Sequence, residues 1–319
     1  MSLISSDLSN EKRVLVTGAS GFIGRTVTTL LQTKSINVIG ASSRSDPKSD
    51  LFYIDYQNLN AVELAISEIA PTHIIHLAGT NLKRTQKSEW KISADSDFRM
   101  NSNLFIAASR SKNLPQVIYL GSCEEYGVLK SPFAEHDSCR PITAYGDSKH
   151  KSTNLLMEIA NQVGMNSIVL RPSVVYGIGQ QNGMLISNLV ENLLTQTTFR
   201  ILNPKQIRDF IHVDDVARAI LMALESDIPY KEPILNIASG MSISVEEVVQ
   251  KVLNVLGVNL SKFVIFEPEE DGQNNAEYYS VENKLAFKSL GWKPNVNFEV
   301  GLAQYIEWSS KEMTRFSQS

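Results

Sequence analysis

A tyrosine and a lysine four residues apart, Tyr145 and Lys149, have the spacing of an acid–base pair. Residues four apart lie on the same face of a helix. A neighbouring ammonium group favours phenolate over phenol, which lowers the pKa of a tyrosine from about 10 toward neutrality. We therefore predict that Tyr145 acts as a general acid or base and that Lys149 activates it.

The apolar run at 116–120 predicts a buried strand, and the segment that follows it contains the polar residues Ser122 and Glu124. Ligands of parallel α/β sheets bind outside the carboxyl ends of the strands, so Ser122 is placed to hydrogen-bond a substrate oxygen beside Tyr145. Glu124 could bond a substrate hydroxyl or act as a further acid or base; a solvent-facing loop carboxylate is the alternative. Cys123 has no evident histidine partner, so we interpret it as a small buried residue of the substrate site rather than a nucleophile.

The octet TGASGFIG, residues 17–24, stands between a predicted strand and a predicted helix. A tight turn requires Gly18, close approach of a pyrophosphate requires Gly21, and close packing of helix on strand requires Gly24. The helix start also presents free N–H groups and the positive end of its dipole to phosphates. The pattern predicts a dinucleotide site formed by Gly18, Ser20, Gly21, Phe22, Ile23 and Gly24.

The end of the second predicted strand indicates which dinucleotide is preferred. An NAD site usually has a carboxylate here that bonds the ribose 2′-hydroxyl, whereas this chain has Ser42, Ser43 and Arg44. Two hydroxyls and a guanidinium can receive a 2′-phosphate, and Arg25 could add a second cation. The sequence favours NADP(H), with NAD(H) as the alternative. Lys149 can also bond the nicotinamide ribose, with Tyr145 against the same cofactor.

These side chains need a scaffold, and the chain alternates strands with helices up to residue 171. Strands are predicted at 13–17, 36–41, 51–54, 73–78, 116–120 and 167–171, and helices at 21–34, 58–70, 96–112 and 145–163. Such alternation predicts an α/β fold with a Rossmann-type doubly wound parallel sheet. We expect a dinucleotide-binding domain at 12–176 that regains the sheet around 205–240, and a smaller C-terminal α/β substrate-binding cap mostly at 177–319.

The composition fits a globular enzyme better than a nucleic-acid or membrane protein. The 319 residues are 43% hydrophobic and 20% charged, with a net charge of −4. No basic stripe indicates nucleic-acid binding, and no apolar run has the length of a membrane span. Residues 1–11, predicted to be a loose arm, lack the apolar segment of a secretory signal, so we expect a cytoplasmic protein. The two cysteines are expected to form no disulfide, and no spacing indicates a metal site.

Together the motifs resemble those of the extended short-chain dehydrogenases/reductases, a group of nucleotide-sugar epimerases, dehydratases and reductases. The resemblance rests on TGASGFIG, HLAG, SCEEYG, YGDSK, LRPSVVYG, RDFIHVDDVARA and LGWKP. It implies a nucleotide-sugar substrate, contact of Arg208 with the substrate phosphates, which suits a guanidinium, and a homodimer formed by two helices of each subunit. Further cofactor contacts are implied for Asp55, Tyr56, Leu77, Ala78 and Gly79. We interpret Asp214 and Asp215 as caps of the helix that follows them.

Three reactions share the scaffold that this resemblance implies. A 4-epimerase oxidises and re-reduces one carbon, a 4,6-dehydratase also eliminates water with an additional acid or base, and a 4-ketoreductase needs only Ser122, Tyr145 and Lys149. The segment GSCEEYG at 121–127 looks most like that of GDP-4-keto-6-deoxy-mannose reductases. We favour NADP(H)-dependent reduction of a nucleotide-linked 4-keto-6-deoxyhexose. The epimerase and the dehydratase stay open, and a non-catalytic NADP-binding sensor is a remote alternative. The residues that distinguish sugars are expected after Gly177 and at 267–279.

Overall fold

The computed structural model of the chain describes residues 12–44, 46, 48–79, 87–127, 132–180, 183–226, 233–267 and 279–316. The predicted arm at 1–11 and most of the predicted sugar-distinguishing loop at 267–279 lie outside these residues. Within the described ranges, no helix is both long enough and apolar enough to cross a membrane.

The largest sheet of the described residues has seven parallel strands. They are β1 (Arg13–Thr17), β2 (Asn37–Ser42), β3 (Phe52–Tyr53), β4 (His73–His76), β5 (Gln116–Leu120), β6 (Ser167–Pro172) and, from late in the chain, β10 (Ile234–Ile237). Their order is β3-β2-β1-β4-β5-β6-β10. β4, β5 and β6 are buried almost throughout, as strands covered on both faces must be. The predicted Rossmann-type parallel sheet is confirmed.

Helices cover both faces of this sheet, which makes it doubly wound. On one face lie α1 (Phe22–Thr33), α6 (Val213–Leu224) and α8 (Lys284–Leu290), and on the other α2 (Leu59–Ile69), α3 (Lys87–Ser109) and α4 (Ala144–Val163). Alternate residues of β1 divide between the two cores, since Val14 and Val16 join the α1 side and Leu15 the α3 side. Because successive side chains of a strand point to opposite faces of the sheet, β1 contributes residues to both cores.

α4 has clear start and stop signals in the sequence. The Thr143 hydroxyl accepts a hydrogen bond from the Gly146 N–H, so Thr143 is the N-cap. Gly164 ends the helix in the left-handed conformation, with φ +72°, and its N–H bonds the Ala160 carbonyl. These caps fix where the helix that carries Tyr145 and Lys149 begins and ends.

After β6 the chain leaves the large sheet and builds a smaller core. Its elements are β7 (Val174–Tyr176), α5 (Leu185–Leu194), β8 (Phe199–Leu202), β9 (Ile207–His212), β11 (Ser242–Ser244), α7 (Val245–Leu256), β12 (Val264–Glu267) and α9 (Phe298–Phe316). β7, β9 and β11 form one sheet, and β8 pairs with β12 in another. Leu189, Val249 and Tyr305 belong to the apolar cluster that joins α5, α7 and α9. Between these elements the chain returns to the large sheet as β10, which pairs with β6.

Two local predictions are corrected. α3 begins at Lys87, nine residues before the predicted start at 96. The prediction missed this first part because the mostly polar stretch before 96 has too few apolar residues to indicate a helix. The helix-capping role predicted for Asp214 and Asp215 is wrong: the N-cap of α6 is His212, whose Nδ1 accepts the Asp214 N–H at 3.3 Å. Both aspartates lie inside the first turn, past the cap position. The buried Asp215 carboxylate instead accepts the N–H groups of Asn295 and Val296, each at 2.9 Å.

Candidate active site

The glycine turn between β1 and α1 has the geometry of a phosphate cradle. Gly18 has φ +69°, and a Cβ at this position would lie 2.7 Å from the Ala78 nitrogen. A Cβ on Gly24 would overlap the Gly18 carbonyl oxygen. Gly21 is the exposed N-cap of α1, and no described side chain caps that helix. The first N–H groups of α1 therefore remain open to an anion, and the residues fit a bound pyrophosphate.

The other residues predicted to bind the cofactor at this turn differ in their exposure to solvent. Ser20 is exposed, while Phe22 and Ile23 are half-buried in the first turn of α1. Arg25 donates hydrogen bonds to the carbonyls of Ser20 at 2.9 Å and Gly179 at 3.3 Å. Its guanidinium thus links the turn to the loop after β7.

At the end of β2, Ser43 and Arg44 are exposed, whereas Ser42 is only 5% exposed. The Ser42 hydroxyl accepts the Arg44 N–H at 3.0 Å, which shapes the loop that carries the guanidinium. Arg44 is therefore accessible at the strand end where the sequence predicts a receptor for a 2′-phosphate.

The cofactor contacts implied by the resemblance are not equally accessible. Asp55 is half-buried and accepts the Gln57 N–H at 3.1 Å. Tyr56 is 2% exposed and belongs to the core on the α3 side, which leaves only its backbone for such a contact. Gly79 is exposed after β4, and a Cβ there would meet no atom of the described residues within 4 Å.

A buried chain of polar groups, missed in the sequence, lies beneath this turn. Thr17 Oγ1 lies 2.6 Å from His76 Nδ1, and His76 Nε2 lies 2.8 Å from Asn101 Oδ1. Asn101 donates to Ser152 Oγ at 2.8 Å and to Tyr119 Oη at 3.1 Å. Burial lowers the pKa of His76 to about 3, so the ring is neutral at physiological pH. The Thr17 hydroxyl also accepts the N–H groups of Leu77 and Ala78, each at 3.2 Å. This network of polar groups therefore joins the backbone after β4 to α3 and α4.

Tyr145 and Lys149 lie in the first two turns of α4, as their spacing predicts. Lys149 Nζ donates to the Leu120 carbonyl at the end of β5 at 2.8 Å. It lies 5.8 Å from the Tyr145 ring centre and 4.8 Å from that of Tyr119. Burial lowers the pKa of Lys149, while the carboxylates of Asp97 and Glu125 oppose that effect. The ammonium group is therefore held between β5 and the tyrosine.

Ser122, Cys123 and Glu124 form the turn that follows β5. Glu124 Oε2 accepts the Thr143 hydroxyl hydrogen at 2.9 Å, which ties this turn to the start of α4. A Cβ on Gly146 would lie 2.5 Å from the Glu124 carbonyl oxygen, so glycine allows the two segments to touch. The structure thus brings the Ser122 turn against the helix of Tyr145. Cys123 is 5% exposed and burial raises its pKa, which makes it a poor nucleophile.

Arg208 on β9 lies close enough to Cys123 to lower the pKa of that thiol, against the larger effect of burial. Its guanidinium donates to the Ile207 carbonyl at 2.8 Å and to Gln206 Oε1 at 2.9 Å, and lies 4.9 Å from the Tyr279 ring centre. The pKa of Tyr279 is raised to about 12, mainly by burial and also by Cys123 and Glu124, while Arg208 opposes the increase. Tyr279 ends the segment 267–279, where the sequence predicts residues that distinguish sugars, and it lies beside Arg208.

The chain is similar to known proteins along nearly its whole length. A family model described as "NAD dependent epimerase/dehydratase family" matches residues 14–238. The chain is 28% identical over 322 residues to the dTDP-4-dehydro-6-deoxyglucose reductase of Escherichia coli, covering 92% of this chain and 96% of the reductase.

Two solved structures extend this similarity to the fold. One is the UDP-glucose 4-epimerase of Thermotoga maritima with UDP-glucose, with a TM-score of 0.85 at 25% identity, covering 94% of this chain and 99% of the epimerase. The other is MoeE5 in complex with UDP-glucose and NAD, with a TM-score of 0.81 at 28% identity, covering 96% and 100% of the two chains.

Proposed function

Because the chain belongs to the NAD dependent epimerase/dehydratase family, we propose that it reduces a nucleotide-linked 4-keto-6-deoxyhexose, as a nucleotide-sugar 4-ketoreductase. The family confirms the predicted extended short-chain dehydrogenase/reductase scaffold and the NAD(P)-dependent enzyme class. The observation that carries the proposed reaction is the contact of the Ser122 turn with the helix of Tyr145 and Lys149. The name of the Escherichia coli relative describes a reductase of this type.

Each of the three residues has one task in the proposed reaction. A bound nicotinamide would supply hydride to the C4 carbonyl carbon of the sugar. Tyr145 gives its phenolic proton to the oxygen that becomes an alkoxide, and Ser122 donates a hydrogen bond to the same oxygen. The Lys149 ammonium stabilises the phenolate left on Tyr145. One C–H and one O–H bond form, and no further acid or base is required.

The contact of Glu124 with Thr143 supports reduction over dehydration. A dehydratase needs an additional acid or base near the serine, whereas the Glu124 carboxylate accepts a hydrogen bond that holds the turn on α4. We propose that Glu124 and Cys123 line the sugar pocket and that Arg208 binds the nucleotide phosphates. A guanidinium offers the two parallel donors that phosphate oxygens accept.

We propose NADP(H) as the preferred cofactor because Ser43 and Arg44 are exposed at the end of β2. No carboxylate stands at 40–44 to repel a 2′-phosphate. MoeE5, a structural neighbour, was solved with NAD, so NAD(H) is the alternative that the cofactor test must separate. Arg44→Ala should weaken NADPH binding and leave NADH binding unchanged, while Lys48→Ala, in the same exposed loop, should change neither.

We also propose a homodimer formed by α3 and α4. Ile92 on α3 is 71% exposed, and Leu155 and Ile159 on α4 are half-buried apolar residues. A second copy packed on these helices would cover them. Light scattering should give twice the mass of one chain, and a monomeric mass at assay concentration would reject this assembly.

The first experiment follows the absorbance of NADPH or NADH while GDP- or dTDP-4-keto-6-deoxyhexose is generated in place. Sugar-dependent oxidation, faster with NADPH, is the expected result. Tyr145→Phe should abolish it while keeping cofactor binding. Conversion of a nucleotide hexose without added cofactor would instead assign an epimerase or, if water is lost, a dehydratase. Cofactor binding without turnover of any nucleotide sugar would favour the sensor.

A further inference from the structure

We propose that Glu125, clamped by Arg171, is a positioning residue of the candidate active site that fixes Ser122 and supplies negative charge to Lys149. This inference rests on the proposed function, since it concerns the groups assigned to substrate and cofactor. Glu125 follows Ser122 by three residues, and its side chain is fully buried. A buried carboxylate must be paired or hydrogen-bonded to remain charged, and its contacts show what it holds.

The first contact fixes the backbone of Ser122. Glu125 Oε1 accepts the Ser122 N–H at 3.0 Å. A Cβ on Gly121 would overlap the same carboxylate oxygen, so the glycine before Ser122 makes room for this bond. The carboxylate therefore sits directly against the end of β5, where Ser122 emerges.

The second contact holds the carboxylate itself. Glu125 Oε2 accepts hydrogen bonds from Arg171 Nε at 3.0 Å and Arg171 Nη2 at 2.8 Å. Arg171, on β6, is only 2% exposed, so the pair is desolvated on both sides. Ligand atoms of Cys139, His150 and Glu125 also lie within 4.8 Å of one another. The guanidinium on Glu125 disfavours a metal cation in that group and makes the carboxylate a fixed anchor.

This arrangement determines how the Ser122 hydroxyl can act. Its Oγ accepts the Glu124 N–H at 3.1 Å while Glu125 holds the Ser122 N–H, which is a capping box around one 3₁₀ turn. A hydroxyl has one proton and two lone pairs. With one lone pair given to Glu124, the proton stays available to a substrate oxygen, and the described residues supply no competing acceptor for it. By fixing this turn, Glu125 orients the Ser122 hydroxyl so that it can donate a hydrogen bond to the substrate.

Glu125 and Lys149 bond the same short segment of backbone, because Lys149 Nζ donates to the Leu120 carbonyl and Glu125 accepts the N–H of Ser122, two residues further on. The charge of Glu125 therefore also acts on Lys149. Burial lowers the pKa of Lys149, and Asp97 and Glu125 counter that effect. Titratable groups that face Lys149 come from four elements and the turn after β5: His76 on β4, Asp97 on α3, Tyr119 on β5, Tyr145 on α4 and Glu125 itself. Burial keeps His76 and Tyr119 neutral across the usual assay range. Of the carboxylates, Glu125 alone also bonds the serine.

The test compares wild type, Glu125→Gln and Glu125→Gln/Arg171→Met for NADPH affinity as a function of pH, by fluorescence titration. Gln keeps an acceptor for the Ser122 N–H but removes the charge. We expect deprotonation of Lys149 to cause a loss of NADPH affinity at alkaline pH. This loss should move to lower pH in Glu125→Gln, and by less in the double variant, because removal of the Arg171 cation partly offsets removal of the carboxylate. The double variant buries no unpaired guanidinium and should unfold at a higher temperature than Glu125→Gln, so it carries the test if the single variant does not fold.

The matched control is Glu135→Gln, because Glu135, although only partly buried, is likewise a carboxylate that accepts a backbone N–H, that of Asn236 at 2.8 Å. Glu135 is not among the groups that act on Lys149. The loss of NADPH affinity at alkaline pH should therefore occur at the same pH in Glu135→Gln as in the wild type. An equal shift in Glu135→Gln would overturn the inference, because the effect would then not depend on the carboxylate that bonds Ser122. If the wild type binds NADPH and both Glu125 variants lose affinity at the same pH as the wild type, the inference is also overturned. If the wild type binds NADH but not NADPH, the same titrations are made with NADH. Binding of neither cofactor at any pH would overturn the proposed function and the inference with it.

Discussion

Replacing Gly24 with alanine should separate α1 from the turn that we assign to the dinucleotide. A Cβ at this position would overlap the Gly18 carbonyl oxygen and lie 2.8 Å from its carbon, against 3.4 Å for ordinary contact. The helix must therefore retreat by at least 0.6 Å, the difference between those two distances, and further to clear the oxygen. The turn cannot give way instead, because Gly18 is packed against the Ala78 backbone.

The expected effect has two parts. Overpacking of a tight contact costs about 1–3 kcal/mol, which outweighs or matches the gain of about 1 kcal/mol from alanine over glycine inside a helix. A displacement of about 1 Å at a binding site can cost about 100-fold in function. We expect Gly24→Ala to bind NADPH about 10- to 100-fold more weakly and to unfold at a lower temperature.

Fluorescence titration with NADPH and thermal unfolding would measure both parts. Gln32→Ala is the matched control, because Gln32 is an exposed residue of the same helix and its replacement adds no contact with the turn. Wild-type NADPH affinity and an unchanged unfolding temperature in Gly24→Ala would refute the assignment of this turn as a close-packed phosphate cradle.

Three further predictions concern the site and its support. Ser122→Ala should lower kcat about 100- to 1,000-fold with little change in NADPH affinity, as for loss of one oxyanion donor; steady-state kinetics would test this, and an unchanged kcat would exclude the proposed role. Asp215→Asn should destabilise the fold by about 1–3 kcal/mol, because a buried acceptor of two backbone N–H groups and of Arg218 loses its charge; denaturant unfolding that matches wild type would contradict this. His76 has a folded pKa of about 3 against an ordinary 6.5, so the unfolded chain takes up the proton first and stability should fall as pH drops from 6.5 toward 3, by up to about 1.4 kcal/mol per pH unit. His76→Gln should flatten this slope in unfolding measurements, and a flat wild-type profile would oppose the argument.

The parts of the fold predictable from sequence are those encoded within one segment. The apolar run before TGASGFIG and the spacing of Tyr145 and Lys149 report on neighbours along the chain, and β1, α1 and α4 occur where these patterns place them. The roles of these residues in binding and catalysis stay predictions. The placement of Ser122 beside α4 needed the additional rule that parallel strands share a carboxyl edge.

The parts that could not be predicted depend on side chains from distant segments. Glu125 and Arg171 are 46 residues apart, and neither stands in a pattern that specifies the other. Tyr56 is a related case, because the resemblance implies a cofactor contact for this position but does not indicate that its side chain packs in the core. The contact itself stays a prediction. Local sequence records which residues tend to be buried, but not which polar groups satisfy one another there.

The position of β10 has a consequence for how the protein is made. β6 pairs on its outer edge with Ile234–Ile237, yet β7, β8 and β9 lie between these two strands in the chain. A ribosome must therefore synthesise more than sixty residues after β6 before its partner emerges. During that interval the nascent chain exposes an unpaired, apolar strand edge, the kind of surface that invites aggregation. Chaperone dependence during synthesis should be greatest in this window and should end once residue 237 has left the exit tunnel.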